Sequence, residues 1–447
     1  MKYFFFLAAL LGVLPAVILI LSNRFWLRWF IPCLLLPVVV FNETAINFYS
    51  NEYYRGTSRG LEISIIYLVA GVVLLSFMLL RKPMKIFPDI GSKLYLVYFL
   101  LSFPSIMNAE NEMFSIFELW KMVMMYLFFL AVYNYLEYSE GDFEIFLISI
   151  TGVVLIDFFV IIRQHFQGYY QARGVFPHQN SLAMCMMMAG MLFFSRSFNA
   201  RDGIRSKLYF LVFLVASASL VRTYSRGALF CYPLSGMINF FCSMINRLSF
   251  RKLYLTGIMM LIAAVGIIIF LPRVIDRFEK APESSGETRK NFAIAAANMM
   301  RDEPILGVGL NNWGIKINPP YTYSRHRDPK KGYTEDYKDG IVETIYLLVG
   351  AECGLPCLAA LLCWFGYYWF AAFRLMVRLR GTRFFYVPVG VFAALSGAYL
   401  QSTLEWILKQ QINFMWLMMF FAFISYLIKH GKELIEAEKR EKLLRAS

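Results

Sequence analysis

The chain has 447 residues, of which 59% are hydrophobic and 17% charged, and its mean hydropathy is +0.54. That balance excludes both an ordinary water-soluble domain and a disordered chain, since neither carries so much apolar side chain. The formal net charge of +14 would suit a nucleic-acid binder, but the Lys and Arg residues sit in short stretches between apolar runs, where membrane topology accounts for them without nucleic acid.

Apolar runs recur from end to end, and a helix needs about 20 such residues to cross roughly 30 Å of hydrocarbon. Runs such as 253–271 are apolar on every face and lack the strict alternation of a membrane barrel strand. The fold class is therefore read as all-α: a polytopic membrane protein with about 12–13 transmembrane helices and one long extracytoplasmic loop carrying short helices. In chain order the spans are 4–21, 27–41, 62–80, 93–107, 114–134, 144–163, 179–195, 207–221, 226–246, 253–271, 343–372, 386–403 and 411–429. The first lacks a small-residue cleavage site, so a retained helix is read in place of a signal peptide. The second is short and holds Pro32 and Pro37, the mark of a broken or re-entrant segment. Seven cysteines lie in or beside apolar runs without paired spacing and read as small core residues, not as a disulfide or zinc framework.

The connections 81–93, 196–207, 247–252 and 374–383 and the tail are basic, and one polarity puts all five in the cytoplasm. Connection 135–143, acidic and without Lys or Arg, is the exception. The outer face then receives 42–61, 108–113, 164–178, the tight turn at 222–226 and the long segment 272–340. The expected organisation is an N-terminal bundle (1–271), an extracytoplasmic loop (272–340), C-terminal membrane helices (341–429) and a charged cytoplasmic tail (430–447). A loop far longer than two helices need is usually functional. Within it Thr288–Met300 reads as a helix and Glu303–Trp313 as Gly-rich turns.

Four groups of residues stand out at the outer boundary. Arg173, His178 and Asn180 lie where a loop enters the seventh span; they read either as substrate contacts or as interfacial side chains with Asn180 capping the helix. Arg226 follows a very short turn at the mouth of the ninth span, where a guanidinium wants an anion or serves as an anchor. Arg289 opens the loop helix, a position whose backbone N–H groups also favour anions, although a solvated arginine has the same signature. Glu343 starts the helix that re-enters the membrane, either stabilised by that helix terminus or acting as a base, and Glu352 lies deeper, where an acid needs a partner.

These segments, in this order, resemble the O-antigen ligase family, which includes O-antigen polymerases and bacterial O-linked oligosaccharyltransferases among its relatives. The resemblance covers about 170–360: the stretch RGVFPHQNSLA from Arg173, the element Ser225–Ala228, a loop arginine matched by Arg289, a Gly-rich turn at 302–313, and a helix running to Glu352 and Gly354. Where the family has His-Asn, this chain has Glu343 and Thr344, and Cys357 replaces the last glycine of the helix motif.

The resemblance implies a bacterial inner-membrane glycosyltransferase, with its active site facing the periplasm, that moves a glycan from an undecaprenyl-diphosphate carrier to an acceptor hydroxyl on a glycan, a lipid-linked sugar or a protein. No cofactor or metal is expected, because guanidinium groups can hold a departing diphosphate through charge-assisted hydrogen bonds. Arg226, Arg289 and Glu343 are then the catalytic candidates, with Glu343 as base, or His326 or His178 reaching in; Arg173, His178, Asn180, Trp313 and His326 are candidate substrate contacts. The alternative from another class is a flippase or transporter of a lipid-linked glycan, which would want charges near the bilayer midplane, where Asp157 is the main acid before the long loop.

Overall fold

The computed structural model describes residues 2–446 apart from 24, 37–44, 201–202, 247–248, 280–282 and 324–339. Among the described residues the chain is all-α with one small hairpin. Although 37–41 of the second expected span lie outside the described residues and the third begins in a strand at 62–63, each expected span falls on a helix over most of its described length. In order these are α1 (Lys2–Leu11), α2 (Val13–Ser22), α3 (Phe25–Leu35), the hairpin strands β1 (Ile46–Ser50) and β2 (Gly60–Ile63), α4 (Ile65–Leu79), α5 (Ile90–Ser102), α6 (Glu112–Tyr138), α7 (Phe143–Phe166), α8 (Gln179–Asn199), α9 (Gly203–Val221), α10 (Arg226–Ile245), α11 (Phe250–Glu279), α12 (Glu283–Asp302), α13 (Trp313–Lys316), α14 (Ile345–Arg378), α15 (Tyr386–Gln401) and α16 (Gln411–Ala446). Among the described residues nine helices are long and apolar enough to cross a membrane, with α3 and α4 as shorter apolar helices. In the described part of the second expected span, α3 has 11 residues and contains Pro32; Pro37 and the rest of that span, to residue 41, lie outside the described residues. The strands pair antiparallel, Ile46 opposite Ile63.

The chain divides into two compact units built from interleaved pieces: 1–149, 284–368 and 402–425 in the first, and 150–283, 369–401 and 426–447 in the second. In the first unit α4 packs against α2, α3 and α6. Asp89 closes a capping box on α5 with Ser92 and also accepts from the Tyr368 hydroxyl at 3.2 Å. In the acidic connection 135–143, Asp142 pairs with Arg28 at 2.6 Å.

In the second unit α8 is the central helix; 94% of its apolar window is buried, and α9, α10 and α15 pack around it. Without a hydrophobic drive between helices in lipid, close backbone approach and interhelical hydrogen bonds hold such a bundle. Both are present: Ser235 Oγ donates to Ala393 O at 2.6 Å, Asn239 Nδ2 to Met191 O at 2.7 Å and Ser195 Oγ to Tyr386 O at 2.8 Å.

Candidate functional site

In the first unit the hairpin, the α5–α6 connection and the long loop are tied into one layer. Tyr54 stacks on Phe114 with ring centroids 3.7 Å apart, and its hydroxyl donates to Asn311 O. Asn311 Nδ2 donates to Ser58 O at 2.9 Å and to Phe114 O at 2.8 Å, while Asn108 Nδ2 donates to Gly307 O at 2.9 Å. The three connections that the charge pattern assigns to one face thus meet at one end of this unit.

The Gly-rich turn expected at Glu303–Trp313 is docked into a break in α14. Gly354 has φ 80° and interrupts the helix, which releases the carbonyls before it; Val308 N donates to Ala351 O at 2.9 Å and Gly309 N to Glu352 O at 3.0 Å. The fit needs glycine on both sides: a Cβ on Gly354 would lie 2.2 Å from Ile305 O, and one on Gly307 would lie 2.4 Å from Glu352 C. The approach is closer than any side chain tolerates.

Beneath this turn is a buried group of four charges. Glu118 pairs with Lys121 at 2.7 Å, and Lys409 lies 3.4 Å from Glu118 and 3.5 Å from Glu352. Thr57 and Ser58 hydroxyls donate to Glu118, and Trp313 N donates to Glu352 Oε1 at 3.3 Å. Lys409, in a single 3-10 turn (Ile407–Lys409), is the partner that Glu352 requires. Burial alone would pull its ammonium down, but the carboxylates of Glu118 and Glu352 more than offset this and hold it above the ordinary lysine value.

Above the buried group, Arg289 on α12 forms an ion pair with Glu343 through Nε and Oε2. Both side chains keep about two fifths of their surface open, 40% and 38%, so a ligand can reach either. Glu343 stands two residues ahead of α14 and not within its first turns. Trp313 is 1% exposed; its ring meets Phe292 edge-on at 6.2 Å and its Nε1 donates to Gly340 O at 3.0 Å, surroundings that fit packing and leave no face for a sugar. Tyr321 donates to Glu110, which pushes its hydroxyl up to about 12. His326 lies outside the described residues. Aromatic side chains suited to sugar rings occur instead on the hairpin, where Tyr49, Asn51, Glu52, Tyr53, Asn111 and Phe114 line a cleft of 410 Å³.

The second unit brings the loop before α8 onto the turn before α10. Ala172 N donates to Arg222 O at 3.1 Å, and Tyr170 stacks on Tyr224 at 5.6 Å. From α7, Gln164 Oε1 accepts from the backbone N–H groups of Arg173 and Gly174, both at 3.0 Å, and Asp157 Oδ1 accepts from Val175 N at 3.0 Å. Asp157, the acid that a transporter would want, here holds this loop. His178 caps α8 by accepting from Asn180 N at 3.2 Å, and burial pulls its ring below the usual histidine value. Arg226 is the first residue of α10, capped by Ser225.

Reading the sequence alone missed Arg222 here, as it missed Lys409. Arg222 meets His165 at 2.8 Å and its guanidinium lies over the Tyr224 ring at 5.6 Å. Lys409 belongs to the other unit, and neither it nor Arg222 stands in a motif. Glu118 and Lys121, by contrast, are visible as opposite charges three apart inside an apolar run.

No curated protein matches the chain. Residues 211–362 match the family model described as O-antigen ligase, a segment that holds the Ser225–Ala228 element, α12 with Arg289, the Gly-rich turn, Glu343 and the Gly354 break. The order of these elements agrees with that match, and over residues 211–362 the chain is similar to the O-antigen ligase family.

Proposed function

We propose that the protein transfers a glycan from an undecaprenyl-diphosphate carrier to an acceptor hydroxyl at the outer face of a bacterial cytoplasmic membrane. The family match over residues 211–362 supports a membrane glycosyltransferase of the O-antigen ligase or polymerase type in general; the observation that carries the finer reading is the open ion pair of Arg289 and Glu343. In the resting state the carboxylate engages the guanidinium. An arriving diphosphate, with more charge and more acceptor oxygens, competes for Arg289 and frees Glu343. The acceptor oxygen then bonds to the anomeric carbon while its proton passes to the Glu343 carboxylate. The bond from that carbon to the diphosphate breaks, and its electron pair stays on the phosphate oxygen facing Arg289. Arg226 is proposed, on the resemblance, as a further anion-holding residue, Arg173 as a weaker one, and the hairpin cleft as a place for sugar rings.

Purified protein is incubated with undecaprenyl-diphosphate glycan and candidate acceptors, without nucleotide and in the presence of a chelator. Glycan should move to the acceptor, and Arg289→Ala should lower the rate by about 10²- to 10³-fold, with Glu343→Gln nearly inactive. Full activity in Arg289→Ala would remove the diphosphate assignment. Passage of the donor across vesicles without bond transfer would make the protein a flippase, and loss of transfer with chelator would restore a metal to the reaction.

A further inference from the structure

At the end of the second unit where α8 and α10 stop and α11 and α15 begin, the basic connections converge on a cavity of 640 Å³. Among the described residues, Arg251, Lys252, Arg380 and Lys439 line it with Glu438 as the one carboxylate, and Asn199, Asn246, Ser249 and Thr382 add polar walls. Charges that serve topology alone need only be near the membrane surface; they need not gather around a concavity, nor be buried. Lys252 is 4% exposed, and its ammonium donates to Ser243 O at 2.6 Å, Asn246 O at 3.1 Å and Asn199 Oδ1 at 3.4 Å. It has no carboxylate partner among the described residues, so its charge is solvated by neutral oxygens and left to act on the cavity. The Glu438 carboxylate accepts from Arg383 N at 2.8 Å, and one carboxylate cannot balance four cations. The lining therefore carries a clear excess of positive charge over a volume suited to a small ligand.

We infer that this cavity binds a phosphate-bearing anion at the membrane surface, remote in sequence from Arg289 and Glu343. Phosphate oxygens match converging guanidinium and ammonium donors, and basic pockets between helix ends at a membrane surface hold anionic headgroups. The same chemistry fits a phospholipid phosphodiester or a soluble phosphate, and the two are separable.

Full-length protein in neutral detergent is titrated with diphosphatidylglycerol, with phosphatidylcholine and with inorganic phosphate, following bound mass by native mass spectrometry and the melting temperature. The double variant Arg380→Gln/Lys439→Gln changes only exposed side chains, and Lys252→Met removes the buried charge. Diphosphatidylglycerol should bind about 30-fold more weakly to the double variant, the effect of two surface cations, while phosphatidylcholine binds both alike. Protection of the unaltered protein by inorganic phosphate, with no preference for the anionic lipid, would assign the site to a soluble phosphate. If neither probe distinguishes the unaltered protein from a double variant of unchanged melting temperature, the cavity is not an anion site.

Discussion

Removing the ammonium of Lys409 would leave the carboxylates of Glu118 and Glu352 buried with only Lys121 to offset them. Breaking a buried pair on one side costs roughly 3–5 kcal/mol, so Lys409→Met should lower the melting temperature sharply. The double variant Lys409→Met/Glu352→Gln, which is neutral again, should recover much of the loss; a Lys409→Met protein as stable as the parent would show that the group is not a structural pin. His178 offers a second test. Its Nδ1 must be unprotonated to accept from Asn180 N, and burial keeps the folded ring below the ordinary 6.5. The folded state thus binds fewer protons than the unfolded one just below that value. The cap's contribution is complete above pH 6.5 and is lost as pH falls through the folded value. Melting temperatures measured from pH 7.5 down to pH 5 should fall more in the parent than in His178→Asn, whose amide caps without titrating; parallel curves would remove His178 as the cause. At this scale the sequence marks Arg173, His178, Arg226, Arg289 and Glu343 because they stand in motifs. Lys409 and Arg222 stand in none, and a partner brought from a distant turn leaves no local trace.

The most exacting element is the broken helix α14. Gly354→Ala would place a side chain at φ 80° against Ile305 O, a backbone cost of about 1–2 kcal/mol with a steric clash added. The variant should be less stable than Gly366→Ala, a substitution in the same helix with nothing within 4 Å; equal melting temperatures would mean that the turn does not depend on this break. Helices were legible almost throughout, because length and apolarity decide a span before any tertiary contact does. The Gly-rich character of 303–313 was legible too. Its docking was not, since nothing in that stretch says which carbonyls will be freed to receive its amides. The hairpin at Ile46–Ile63 is not legible in the sequence, which reads 42–61 as a loop and 62–63 as the start of a span: its strands are short and its pairing has a register shift, so the alternation that identifies a strand never accumulates.

Taken over the whole chain, charge predicts grouping better than it predicts any single contact. The ends of α8 and α10, the start of α11, the α14–α15 connection and the tail surround one cavity, as a shared side demands. In the second unit this reading has a direct test: in a background without native cysteines, Gln167→Cys in intact cells should react with a membrane-impermeant maleimide and Ser249→Cys should not. The reverse pattern would invert the orientation, and equal labelling would refute opposite sides for these two positions. The buried quartet also bears on how such a chain is made. Glu118 and Lys121 cancel within one helix, and Glu352 and Lys409 cancel between two segments made later than that helix. A nascent polypeptide can therefore pass its first couple into lipid already discharged, whereas Glu352 must await Lys409, so the second half of the quartet seats only once the turn ahead of α16 has been made and has bridged to Glu118 as well.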